Sequence, residues 1–291
     1  MKIFALISLV VAVATALEDS NPLENGVYDY HNRIGIPEAL RIKKLESEIS
    51  EAPSRIVGGS TTTILSVPYQ AGLLISIGLV STSVCGGSII SDTRVLTGAH
   101  CYNDGNNIAR SMTVILGSNF LFSGGTRITT TNIVIHPGYN PWIVANDIAV
   151  IRINRVSFSL TIQPINLPSG SEINSNYVGM NGLASGYGVT RNGDSISLTQ
   201  TISSVSLPVI SNAACRNVYG NLILGTHLCT NGSGGRGVCG GDTGGPLVAN
   251  GNGNRRILIG ISSFTSNAGC QSGQPSGFTR VTSYINWIHS I

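Results

Sequence analysis

All six cysteines of this 291-residue chain, Cys85, Cys101, Cys215, Cys229, Cys239 and Cys270, lie after residue 84, with no Cys-x-x-Cys pair and no clustered histidines beside them. An even count without metal-ligand spacing reads as three disulfides, which need an oxidising compartment, and argues against a metal site. Spacing alone leaves 15 possible connectivities for six cysteines. The N-terminus points to the same compartment. Lys2 precedes an apolar run that closes on Ala14-Thr15-Ala16, the layout of a secretory signal peptide cut after Ala16. Its roughly 14 apolar residues fall short of the ~20 that span a bilayer, so a secreted, extracellular protein without a membrane partner is expected.

Residues 17–55 form a separate segment. They hold eight of the fourteen acidic residues, two of the three lysines and no cysteine. From Ile56 onward there are eleven arginines, no lysine and six acids, about +5 by formal count. Those arginines are scattered and not interleaved with aromatics, which excludes a nucleic-acid surface. The lack of lysine fits an alkaline medium, where guanidinium stays charged, no better than it fits compositional drift. Only 11% of the chain is charged, against about 25% in typical domains, so Ser, Thr, Asn and Gly must supply the polar surface.

After Ile56 the chain reads as short β-rich runs punctuated by Gly, Asn, Pro and Ser: 72–80, 87–90, 112–116, 128–135, 148–153, 178–187, 199–207, 246–249 and 256–261. A helix is expected only at 283–289, with Tyr284 and Trp287 on one face. No fixed repeat is visible. An all-β barrel or sandwich follows.

Nucleophilic acyl transfer needs a hydroxyl or thiol, a base, a group that orients the base, and donors for the oxyanion. His100 stands in Thr97-Gly98-Ala99-His100-Cys101, Asp147 in Asn146-Asp147-Ile148-Ala149, and Thr243 in Gly240-Gly241-Asp242-Thr243-Gly244-Gly245-Pro246. With Arg55-Ile56-Val57-Gly58-Gly59 ahead of them, these ordered blocks make residues 56–291 resemble the chymotrypsin-like (trypsin-fold) serine proteases, in the form of an insect-type chymotrypsin-like member. The resemblance implies two six-stranded antiparallel Greek-key β-barrels with a short C-terminal helix. It implies the pairings Cys85–Cys101, Cys215–Cys229 and Cys239–Cys270. It makes His100 the general base and acid, Asp147 its orienting group, and the N–H groups of Gly241 and Thr243 the oxyanion hole. No cofactor and no metal are called for. Gly98, where the family has alanine, reads as a small departure.

Thr243 is the large departure, because the family has serine there. The hydroxyl is kept, but a β-branched side chain is restricted at χ1 and adds a methyl that must point at the imidazole, a disulfide or the incoming carbonyl. Two readings follow: a secreted endopeptidase of digestive type slowed or silenced by Thr243, or a non-catalytic homologue that binds peptides, protease inhibitors or a partner protease.

The resemblance also implies activation by a trypsin-like protease that cuts after Arg55, frees the Ile56 amine to pair with Asp242, and releases residues 17–55 as a propeptide, since no cysteine tethers them. The resulting enzyme is expected to be a monomer. By the same alignment the pocket floor falls on Gly237, where a basic-specific relative has aspartate, and the walls on Ser263-Phe264-Thr265 and Ser276. Large apolar side chains are then the expected targets, small aliphatic ones next. Asn231-Gly232-Ser233 is a glycosylation acceptor pattern.

Overall fold

The computed structural model describes residues 26–48, 60–188 and 201–291. The expected signal peptide, Arg55, Ile56 and the start of the expected strand at 199 lie outside them.

Fourteen strands make two seven-stranded antiparallel sheets among the described residues. The first sheet holds β2 (Gln70–Ile77), β3 (Ser81–Ser91), β4 (Arg94–Thr97), β5 (Ser111–Leu116), β6 (Thr126–Thr130), β7 (Ile133–Ile135) and β8 (Ala149–Arg152), in the order β6-β5-β2-β3-β4-β8-β7. The second holds β1 (Ser60–Thr61), β9 (Asn181–Gly186), β10 (Ser203–Ile210), β11 (His227–Thr230), β12 (Pro246–Asn250), β13 (Arg256–Phe264) and β14 (Ser276–Arg280). There β9 pairs with both β10 and β12, which closes six strands into a barrel, and β1 is added outside on β10. The expected double-barrel fold is therefore present, with the first sheet the more open of the two.

The sequence expectation missed β4, β11 and β14. These strands have four or five residues, almost all buried, and a strand buried on both faces shows no alternation of apolar and polar positions. The expected run 128–135 is two strands, broken at residues 131–132. The closing helix is present as a short 3₁₀ turn, Val281–Tyr284, and α3, Ile285–Ser290.

Two helices were not anticipated. One is α2, Asn212–Tyr219, capped by the Ser211 hydroxyl on the Ala214 N–H at 3.1 Å and pinned by the Cys215–Cys229 disulfide. The other lies in the N-terminal segment, where a π-turn at His31–Gly35 leads into α1, Ile36–Glu48. Val27, Tyr30, Ala39, Ile42 and Leu45 are buried, three residues apart but for one step of nine, while Lys43 and Lys44 are exposed. Ile42 and Ala39 share a core cluster with Val84 and Leu121 of the first sheet and with Val248 and Ile261 of the second. Full burial of a side chain the size of isoleucine or leucine contributes about 1.5–3 kcal/mol, so this segment is a docked element of the molecule.

All three disulfides form as expected, Cys85–Cys101, Cys215–Cys229 and Cys239–Cys270. Each closes a loop of 14 to 31 residues, which by the chain-entropy account stabilises by about 3 kcal/mol.

Candidate active site

The 3₁₀ turn Ala99–Cys101, which follows β4, carries His100, and Cys101 ties that turn to Cys85 on β3. Asp147 sits just before β8, the neighbour of β4 in the sheet. Both side chains are fully buried. Nδ1 of His100 lies 2.7 Å from Asp147 Oδ2, and the His100 backbone N–H donates to Oδ1 at 3.0 Å. The Ser263 hydroxyl donates to Oδ2 at 2.5 Å. Burial by itself would raise the Asp147 carboxyl, but the imidazole and these donors outweigh it and hold the group below its ordinary range. Asp147 is thus an ionised acceptor that fixes the ring's orientation and leaves Nε2 pointing away from the carboxylate.

Ser263, expected as a pocket wall, donates its hydroxyl to this carboxylate. The sequence carried no signal for that bond, because the residue lies 116 positions from its partner. Gly98 also means more than the sequence suggests. A Cβ there would lie 2.7 and 2.8 Å from Cε1 and Nδ1 of His100, so the ring occupies space that an alanine would need.

Thr243 sits on the loop between the Cys239–Cys270 disulfide and β12. Gly241 and Gly244 flank it at φ +91° and +83°, the left-handed region, and at Gly244 a Cβ would fall 2.4 Å from Thr97 Oγ1 and 2.6 Å from Gly86 O. The Thr243 carbonyl accepts from the Gly86 N–H at 2.7 Å and the Gly244 N–H donates to Ser262 at 2.7 Å, so both sheets hold the loop. Among the described residues no hydrogen bond joins the Thr243 hydroxyl to His100, whose Nε2 is 3.6 Å from Cys101 Sγ. Thr243 and Gly241 lie instead beside the phenol oxygen of Tyr30.

Asp242 is buried, accepting from the N–H groups of Gly188 at 2.8 Å and Cys239 at 3.0 Å. Burial pushes its carboxyl up to about 6, despite those two donors. The nearby Glu38 carboxylate adds to the rise and the Arg41 guanidinium opposes it. The pairing partner expected for it, Ile56, lies outside the described residues.

At the expected pocket floor, a Cβ on Gly237 would be 3.0 Å from Ser276 Oγ, so that base is uncharged and faced by a hydroxyl. Phe264 packs edge-on against Tyr219 and His227 with ring centroids 5.3 and 5.4 Å apart, and its ring fills the space a side chain at Gly277 would take. Thr265 is half-buried beside it. The sulfurs of Cys85 and Cys101 and the nitrogen of His100 cluster, but both cysteines are spent in a disulfide, which leaves no thiolate for a metal. At the glycosylation pattern, the Asn231 amide oxygen accepts from the backbone N–H and hydroxyl of Ser233 at 2.9 and 2.7 Å.

The family model described as Trypsin matches residues 56–288, which span the base, the carboxylate and the loop of Thr243. This chain belongs to the trypsin family. It is similar to the collagenase of Hypoderma lineatum, 39% identical over 80% of this chain and 86% of that protein. Brachyurin of Leptuca pugilator is 37% identical over 81% of this chain and 97% of its own length, and the chymotrypsin of Phaedon cochleariae is 37% identical over 81% of both. A solved structure titled HL collagenase superposes with a TM-score of 0.73 at 38% identity, covering 81% of this chain and 97% of that one. A chymotrypsin-like serine protease fold of this family acts on protein substrates and meets protein inhibitors. No helix among the described residues is long and apolar enough to cross a membrane.

Proposed function

We propose that this chain is the secreted zymogen of a chymotrypsin-like endopeptidase that hydrolyses peptide bonds after apolar residues, with its turnover slowed by Thr243. The observation that carries this reading is the complete His100–Asp147–Ser263 hydrogen-bond chain, fully buried behind the loop that presents Thr243 and the Gly241 N–H. In the reaction His100 takes the hydroxyl proton of Thr243 as its oxygen attacks the substrate carbonyl. The N–H groups of Gly241 and Thr243 hold the oxyanion, and His100 then protonates the leaving amine. Water, deprotonated by the same imidazole, releases the acyl group. Cleavage after Arg55 by a trypsin-like protease supplies the Ile56 amine to Asp242, whose raised pKa is what a carboxylate lacking its cation displays. The uncharged floor at Gly237 and Ser276 disfavours basic targets, and the mature enzyme works as an extracellular monomer.

Thr243 sets the rate. A misplacement of about 1 Å costs on the order of 10²-fold, and the surrounding apparatus without its nucleophile still gives roughly 10³–10⁴ over water. The absence of a hydrogen bond between the Thr243 hydroxyl and His100 among the described residues favours a second reading, a homologue that binds peptides or inhibitors without turning them over. The deciding assay cuts at Arg55, removes the activating protease, and offers peptide anilides ending in Phe, Leu or Ala to the natural chain, Thr243→Ser and His100→Ala. Turnover by the natural chain that His100→Ala abolishes supports slow catalysis through Thr243. Turnover by Thr243→Ser alone assigns the natural chain to the second reading.

A further inference from the structure

The N-terminal segment does more than pack against the outside of the barrels. Tyr30 stands edge-on over the His100 ring, centroids 5.0 Å apart, and its hydroxyl donates to the Val84 carbonyl at 2.8 Å. The same oxygen lies beside the Gly241 N–H and the Thr243 side chain, where the carbonyl oxygen of a substrate would meet its donors. Around this anchor the segment reaches both walls of the cleft. On the first-sheet side His31 Nδ1 is 2.8 Å from Ser83 Oγ, the His31 N–H donates to Asp104 at 2.8 Å, and Tyr28 stacks on Trp142 at 4.2 Å. Glu46 accepts from the N–H groups of Leu121 and Phe122. On the other side Ile34 and Glu38 cover Gly240, where a Cβ would meet Ile34 at 2.9 Å. Gly35 approaches the floor so closely that a Cβ would lie 1.9 Å from Ser83 Oγ.

Apolar burial and polar contacts thus run along this face on both sides of Tyr30, and none of these contacts depends on a peptide bond between residues 55 and 56. We propose that the cleft is a binding site for an amphipathic helical inhibitor that the chain itself supplies, residues 26–48 anchored by Tyr30, and that this segment stays bound after the cut at Arg55. The proposal rests on Arg55 being the activation site. It replaces the sequence expectation of simple release with a second activation step. The exposed Lys43 and Lys44 on the outer face of α1 offer a basic-specific protease the cut that shortens the anchor.

The test uses the full secreted chain with residues 51–55 replaced by an enteropeptidase recognition sequence, so that only the bond before Ile56 is cut. After cutting at about 10 µM, size exclusion and mass spectrometry should find the N-terminal fragment eluting with the domain at close to one to one. Diethyl pyrocarbonate should label His100 at the slow rate of the uncut chain. Tyr30→Ala or Ile42→Asp should release the fragment at the same concentration and expose His100, and Tyr30→Phe should weaken retention on the order of tenfold. A wild-type fragment that elutes free with His100 reactive at once overturns the proposal, as does a Tyr30→Ala fragment retained as firmly as the natural one. The zymogen reading fails by a different result: a Thr243→Ser version of the same protein whose anilide rate does not rise on cutting, even with Tyr30→Ala. Retention of the fragment is read independently of that rate.

Discussion

The two halves of the site stand in different states of readiness. On the first-sheet side, His100 and Asp147 are fully buried, mutually hydrogen-bonded and supported by Ser263, and every polar atom of the carboxylate has a donor. On the loop side, Asp242 is buried with its carboxyl pushed up to about 6, and Thr243 faces Tyr30. The base is assembled by local sheet geometry, because β4 and β8 are neighbours and Cys85–Cys101 fixes the intervening turn. Under the proposed zymogen reading, the nucleophile loop is completed when one group from the N-terminal part of the chain arrives at Asp242 and another leaves His100.

The largest effect is expected where the finished half is broken. In a Thr243→Ser background cut at Arg55, Asp147→Asn should lower kcat by about 10⁴-fold, because the imidazole would lose its tautomer and orientation. Anilide hydrolysis measures it, and a loss below tenfold would mean that the Asp147 carboxylate does not orient the base. Next, restoring serine at position 243 should raise kcat about 10²-fold or more over the natural chain, by removing the methyl that misplaces the hydroxyl. An unchanged rate would show that the methyl is harmless.

Asp242 separates the cut state from the uncut one. Its folded pKa of about 6 lies above the ordinary value of 3.8, so protonation favours the uncut fold, and that advantage is lost as pH rises from about 4 through 6. By linkage the cost at pH 8 is about 3 kcal/mol. Asp242→Asn should therefore raise the Tm of the uncut chain by several degrees at pH 8 and flatten its pH dependence. In the cut chain the same change should destabilise, because it removes the partner of the new amine. Calorimetry of both forms between pH 5 and 8 checks the reversal of sign.

The smallest effect lies in the segment. His31 is buried with no partner on Nε2, and burial lowers its pKa to about 4. The neutral ring is the packed form, so its contribution is intact above about 6.5 and lost as pH falls toward 4. At pH 5.5 His31 alone should weaken retention of the segment about tenfold relative to pH 7.5. Glu38, Glu46 and Asp242, all raised by burial, work in the opposite sense. The difference in fragment retention between the natural chain and His31→Asn isolates the share of His31, and identical pH profiles for the two would contradict it.

Much of this site could be read before any folding. The blocks around His100, Asp147 and Thr243 mark the chemistry because each is a local run, and the cysteines paired as the family pattern implied. Elements whose evidence was not local were missed. Strands β4, β11 and β14 are too short and too buried to show a period. Ser263 looked like a wall residue because its carboxylate partner is remote in the chain. The face Val27, Tyr30, Ile34, Ala39, Ile42, Leu45 carries apolar spacing in plain sight, yet the segment's acidic composition and its lack of cysteine read as a detachable leader.

By itself, then, the sequence determined the family, the order of base, orienting acid and hydroxyl, the disulfide framework and the threonine at residue 243 on which the proposed rate rests. Each of these is written in side-chain identity at contiguous positions, and no packing is needed to read it. Only the tertiary structure decided where Tyr30 goes. An apolar stripe states that a segment must be buried, but not against what. The choice of the cleft comes from the joint fit of Ser83, Val84, Trp142, Gly240 and Gly241, residues that the two sheets bring to one surface from distant parts of the chain.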